Sequence, residues 1–207
     1  MKEKRIIAVT GPSGSGKTTL VNKLSERYNF IVPKHCTTRN QRNDDNHLYR
    51  YLTHEEFANY VHQGKFFLAS GDGPKVKKEY GNFYGILIED IEESWKISNT
   101  IIIYVSYKDL ELLGKYKENG FNIDIIDLSF TNIEQGVRTR LENDKNRNHT
   151  KEDIEKRTKC AVEYEKKYAK TIEKYAKIRI YTDILDIEST YKKVCEELNW
   201  VYDSFFF

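Results

Sequence analysis

Residues Gly11-Pro12-Ser13-Gly14-Ser15-Gly16-Lys17-Thr18 match the pattern G-x-x-x-x-G-K-[ST] completely and add interior glycines to it. They follow an apolar run, Ile6 to Thr10, and lead into a helical pattern from Lys17 to about Tyr28. Strand, glycine loop and helix in that order form the context that a phosphate-binding loop requires. Glycine lets the backbone turn so that successive N–H groups converge on phosphate oxygens, and the helix start adds its positive dipole end.

The triphosphate-binding set read from this loop is Gly11, Ser13, Gly14, Ser15, Gly16, Lys17, Thr18 and Thr19. Lys17 is expected to reach the β- and γ-phosphates of ATP, and the Thr18 hydroxyl to ligate Mg²⁺. A switch GTPase would add an N-K-x-D guanine reader and a D-x-x-G segment, and the chain has neither. That favours a small-molecule kinase.

Further short Ile/Val-rich runs at Ile31–Val32, Thr100–Val105, Ile123–Phe130 and Ile178–Tyr181 alternate with helical stretches. This alternation predicts an α/β fold: a three-layer P-loop NTPase architecture with a central five-stranded parallel sheet. Thr53-x-x-Glu56, Ser106-x-x-Asp109 and Thr150-x-x-Asp153 fit capping boxes, the last opening a long helix to about Tyr175. A final helix is expected over roughly Asp186 to Leu198. Residues 34–92 interrupt the alternation and are expected to form an inserted acceptor-binding subdomain on a core of 1–33 and 93–207. A lid is expected at about 140–157, around the polar stretch Asn143–His149.

A chain of 207 residues suits one such domain. With 32% charged residues and no run of eighteen apolar residues, nothing in it predicts a membrane span. The N-terminus enters its first strand without the long apolar stretch of a signal peptide. Cys36, Cys160 and Cys195 are widely spaced and odd in number, which fits reduced thiols in a cytoplasm. A net charge of +2 with mixed signs points to neither nucleic acid nor anionic lipid. The Lys-rich stretch Lys151–Lys177 alternates with Glu at helical spacing, as a solvated face does. His35, His47, His54, His62 and His149 show no metal-ligand spacing, and most read as surface residues. The aromatic end, Trp200 to Phe207, is expected to pack on the core or on a second subunit.

Beyond the loop, Thr37-Thr38-Arg39-Asn40-Gln41-Arg42 sets two arginines three apart, and guanidinium forks grip phosphate oxygens in a way lysine cannot copy. Tyr49 and the run Gly81-Asn82-Phe83-Tyr84-Gly85 follow. The ordered set G-P-S-G-x-G-K, T-T-R-x-x-R, a tyrosine-bearing segment, G-N-x-Y-G and an arginine-bearing lid resembles the guanylate kinase family over nearly the whole chain. The resemblance implies that Arg39, Arg42, Tyr49 and Tyr84 hold the phosphate of an acceptor nucleotide. It makes Lys17, Arg140 and Arg157 the residues that neutralise the transferring phosphoryl group, with Arg147 a looser match. It implies a monomer or homodimer that takes ATP with Mg²⁺ and a small phosphorylated acceptor.

The family reads guanine through a hydroxyl residue before T-T-R, a glutamate after the first inserted helix, a serine after G-N-x-Y-G and an aspartate ending the middle strand. The matching positions here are His35, Leu68, Ile86 and Ser106. The expected acceptor-binding set is therefore His35, Thr37, Arg39, Arg42, Tyr49, Leu68, Tyr84 and Ser106. Leucine cannot accept a hydrogen bond from guanine, so Asp72 or Glu79 is a candidate for the missing carboxylate. GMP is the acceptor by family. A phosphorylated sugar such as ribose 1,5-bisphosphate, or a modified nucleotide, is the alternative, and a non-catalytic binding module stands further off because Lys17 and Thr18 are intact.

Overall fold

The computed structural model describes residues 3–41, 48–70, 82–144 and 147–199. Strand β1 (Arg5–Thr10) lies inside a parallel sheet beside β6 (Thr100–Tyr104) and β7 (Ile123–Ser129), and β8 (Ile178–Tyr181) pairs with β7. Both β1 from Ile6 onward and all of β7 are buried, as strands covered on two faces must be. The expected fifth strand at Ile31–Val32 contracts to one parallel bridge, Ile31 to Ile101. Its hydrogen bond from the Ile102 amide to the Ile31 carbonyl is 2.9 Å, and Pro33 removes the next backbone donor.

Helix α1 (Lys17–Tyr28) buries Leu20, Val21 and Leu24, and α7 (Ile187–Glu197) buries Tyr191, Val194 and Cys195 against the same sheet face. The opposite face is covered by α3 (Ile88–Ile97), α4 (Leu110–Glu118) and α6 (Lys151–Tyr175), through Ile91, Leu110, Leu113 and Ile172. The expected three layers are present. Every lysine of α6 is exposed, in keeping with a solvated face. Among the described residues, no helix is long and apolar enough to cross a membrane.

A second sheet falls within 34–92, in the order β3 (Tyr49–Tyr51), β2 (His35–Thr37), β5 (Tyr84–Leu87), β4 (Phe66–Ser70). Three of these strands have four residues or fewer, too short to show a period in sequence. Helix α2 (His54–His62), opened by a complete Thr53–Glu56 capping box, packs Phe57 on Phe66 at 4.5 Å between ring centroids and on Phe83 at 5.4 Å. Strand β5 runs into α3 without a loop, Leu87 ending the strand and standing as the helix N-cap.

Helix α5 (Ile133–Glu142) and α6 pair around Phe130, Val137, Leu141, Ile154 and Ala161. Thr150 caps α6 by accepting the Asp153 amide at 3.1 Å. The Asp153 carboxylate does not complete a box; it turns to His149 and Arg157 instead. Arg42, Asp72, Glu79 and the aromatic end from Trp200 lie outside the described residues.

Candidate active site

The glycine loop leaves β1 and enters α1 through three positive-φ positions, Gly11 at 141°, Gly14 at 77° and Gly16 at 87°. A side chain on Gly11 would collide with the Leu128 carbonyl oxygen of β7, so the loop needs glycine there for space as well as for backbone angle. Lys17 Nζ donates to the carbonyls of Gly11 and Pro12, both at 2.8 Å, so the ammonium sits inside the loop. Burial lowers its pKa from 10.5 to about 8, with Asp127 pulling the other way. The buried hydroxyls of Thr10, Ser15 and Tyr104 have no hydrogen-bond partner among the described residues. Polar groups of that kind around a loop suit an incoming polar ligand.

A cleft of about 530 Å³ opens on this loop. Its lining includes Ser13 through Thr19 on one wall and, on the other, Arg39 just beyond β2 with Tyr49 and Tyr84 of the second sheet. Arg140, Arg147 and Arg157 close it from the α5–α6 side. The structure thus brings the expected catalytic set, most of the loop set and three acceptor residues to one cavity. Arg140 comes from the last turn of α5 and its Nη2 donates to the Thr182 carbonyl at 2.8 Å. Arg157 Nε donates to Asp153 at 2.8 Å. His149 lies between Asp144 and Asp153, its side chain only 7% exposed.

Arg39 is nearly buried, its guanidinium 4.6 Å from the Tyr49 ring centroid and 5.8 Å from that of Tyr51. Such stacking holds the fork flat, and Nη1 donates to the Asn40 carbonyl at 2.9 Å. Thr37 lines no described cavity. It is fully buried and its hydroxyl accepts the Arg39 amide at 3.3 Å, so it fixes the backbone from which Arg39 projects.

A second cavity of about 400 Å³ joins Gly11 and Lys17 to His35, Tyr49, Leu68, Tyr84, Ile86 and Ser106. Asp109 and Ser70 also line it, and the sequence had marked Asp109 only as a helix cap. His35 and His149 depart from the expected surface placement. His35 Nδ1 donates to the Pro33 carbonyl at 2.9 Å and Nε2 accepts the Tyr104 amide at 3.2 Å. Burial lowers its pKa to about 4, so the ring is neutral and links the start of the second sheet to the end of β6.

Thr18 stands in the first turn of α1, in the lining of the larger cleft. Among the described residues no group of three or more His, Cys, Asp or Glu side chains is placed to hold a metal. The end of β6 carries Tyr104, Val105 and Ser106, without a carboxylate. Thr18, the residue expected to ligate Mg²⁺, thus stands beside the phosphate loop, and a single hydroxyl ligand would suit an ion that keeps water and phosphate oxygens in its shell.

Beneath the loop, Asp127 of β7 is fully buried and accepts the Tyr107 hydroxyl at 3.0 Å. Arg179 Nε lies 3.1 Å from its other oxygen, close enough for an ion pair but not aligned as a hydrogen bond. Burial outweighs that cation and lifts the carboxyl pKa from 3.8 to about 6. Nothing in the spacing of Asp127 had singled it out.

The guanylate kinase family profile matches residues 3–198. Guanylate kinase of Thermotoga maritima is 30% identical over 132 residues, covering 51% of this chain and 60% of that protein. Guanylate kinase of Prochlorococcus marinus is 30% identical over 138 residues, covering 65% of this chain and 71% of its own length. Among solved structures, guanylate kinase from Anaplasma phagocytophilum superposes with a TM-score of 0.64 at 19% identity, covering 96% of this chain and 86% of that one, a likeness of fold.

Proposed function

Because the chain belongs to the guanylate kinase family, we propose that it transfers the γ-phosphoryl group of ATP to a phosphate oxygen of a nucleoside monophosphate, with GMP as the acceptor. The observation that carries this reading is the convergence of Lys17, Arg39, Arg140, Arg147 and Arg157 on one cleft, with the phosphate loop and the second sheet as facing walls.

The loop amides and Lys17 bind the β- and γ-phosphates. Arg39 and Tyr84, with Tyr49 stacked behind Arg39, hold the acceptor phosphate so that one of its oxygens faces the γ-phosphorus. That oxygen forms the new P–O bond as the bond to the bridging β–γ oxygen breaks, leaving ADP and a nucleoside diphosphate. Arg140, Arg147 and Arg157 neutralise charge on the transferring group, which, with positioning, is most of what the reaction requires. The Thr18 hydroxyl would hold Mg²⁺, which would supply further neutralisation of phosphate charge. His35, neutral and buried, takes no part in proton transfer and serves to position Tyr104.

Residues 34–92 act as the acceptor subdomain and 140–157 as the lid, whose closure excludes water from the γ-phosphate. One chain supplies both phosphate sites, which suits a monomer or a homodimer. The three cysteines form no disulfide, in keeping with a cytoplasmic setting. The reading is tested by coupled ADP release across the common nucleoside monophosphates and phosphorylated riboses. GMP should support turnover, and ADP release with none of the nucleotides would overturn the reading.

A further inference from the structure

The second cavity has Leu68, Ile86 and Val105 among its apolar lining, Lys17 and Ser13 of the phosphate loop in its polar lining, and a separate polar cluster where Ser70, Ser106 and Asp109 meet. Ser70 Oγ lies 2.6 Å from Asp109 Oδ1 and 2.7 Å from Oδ2. Oδ2 also accepts the Ser106 amide at 2.8 Å and the Ser106 hydroxyl at 3.0 Å. The Ser106 half of this cluster is a capping box on the short helical turn Tyr107–Asp109. Ser70 is not part of that box. It arrives from β4 of the other sheet, and capping gives no reason for its contact.

The chemical result is a set of oxygens with their own protons directed inward. Both serine hydroxyls donate to Asp109, so toward the cavity their oxygens act as acceptors. Oδ1 accepts from Ser70 alone among the described residues, which leaves it a second lone pair. An all-acceptor end of a cavity fits a ligand edge that carries adjacent N–H donors. Of the common bases, guanine presents two such donors side by side, N1–H and the 2-amino group. Adenine and cytosine set a ring acceptor next to the amino group, and the uracil N3–H stands between two carbonyls.

We infer that Asp109, with Ser70 and Ser106, reads the base of the acceptor by accepting its adjacent N–H donors, at a position displaced from the ones that Leu68 and Ile86 occupy. The inference rests on the acceptor being a nucleoside monophosphate. It names guanine by hydrogen-bond polarity and leaves Leu68 and Ile86 as apolar walls that orient the ring.

The experiment measures KM and kcat for GMP, IMP and ATP with the full-length wild type, Asp109→Asn and Ser70→Ala. IMP keeps N1–H and lacks the 2-amino group. Both variants should raise the GMP KM about tenfold or more, as expected for loss of a hydrogen bond to a charged group, with the ATP KM unchanged. The preference for GMP over IMP should shrink in Asp109→Asn, a change that loosening of the turn would not produce. Ser70→Ala lies outside the capped turn and guards against a folding defect in the first variant. Unchanged GMP kinetics and an unchanged GMP-to-IMP ratio in both variants would overturn the inference while leaving the kinase reading intact. Should the wild type phosphorylate no nucleotide, the kinase reading falls, and calorimetric titration with GMP decides the inference separately. Binding weakened by Asp109→Asn upholds it; absent or unaltered binding overturns it.

Discussion

Gly14 and Arg140 are packed face to face: a Cβ on the loop glycine would stand 2.7 Å from the Cβ of the arginine. The phosphate loop and the last turn of α5 therefore share a surface. The arginine proposed to serve the transferring group is thus seated on the loop proposed to hold that group.

Gly14→Ala should damage both partners of that contact. The backbone there has φ of 77°, which costs a non-glycine residue about 1–2 kcal/mol, and the added methyl pushes on Arg140. Steady-state kinetics should show kcat/KM for ATP reduced by about tenfold or more, with the circular dichroism spectrum retained.

Lys17→Ala should remove phosphoryl transfer and leave a folded chain. The same lysine sets a pH dependence. With nothing bound, the folded chain loses this proton near pH 8, while the unfolded chain holds it to about 10.5. Between those values the unfolded state binds more protons, so this group makes stability rise with pH. ATP affinity should move the opposite way, weakening as pH climbs through 8, because phosphates favour the ammonium. Titration calorimetry on either side of that pH measures it, and a flat profile would contradict the assignment.

Asp127 gives the converse case. Its carboxyl is raised to about 6 in the folded chain against 3.8 unfolded, so between these values the folded state keeps a proton the unfolded state has lost. Its contribution to stability falls as pH rises across that window. Asp127→Asn should flatten the melting temperature against pH there, and an unaltered slope would place the titration elsewhere.

Arg39→Lys should behave as a loss and not as a conservative change. Lysine keeps the charge but not the planar fork that lies on Tyr49. The acceptor KM is expected to rise about tenfold with the ATP KM unchanged. A rise in the ATP KM instead would show that Arg39 faces the donor.

Phe57→Ala tests what supports the acceptor wall. The ring is 4% exposed and stacks on Phe66 and Phe83, so truncation should cost about 3–5 kcal/mol in that small core. Urea unfolding would record it, together with a raised acceptor KM.

The sequence made the nucleotide half of the molecule legible because its signals are local. A glycine loop between a buried strand and an amphipathic helix announces itself in twenty residues, and α1 spans the expected Lys17 to Tyr28. The acceptor half was legible as motifs but not as structure. Strands of three and four residues have no readable period, and their partners lie far apart in sequence, as Cys36 does from Gly85. Asp109 was hidden by its own explanation, since a carboxylate three residues after Ser106 already satisfies a capping box. Only its meeting with Ser70, 39 residues away, gives it a second meaning. The burial of His35 and of Asp127 was missed for a related reason. It follows from the packing of separate elements, which no spacing along the chain records.

The passage of β5 directly into α3 through Leu87 fixes how the acceptor wall can travel. A loop at that junction would let the strand swivel alone. Without one, Tyr84 at the start of β5 and Ile91 in the main core sit on a single stiff crank. In the closure proposed above, an inward swing of that wall would carry α3 with it, and the packing of that helix would set the stroke.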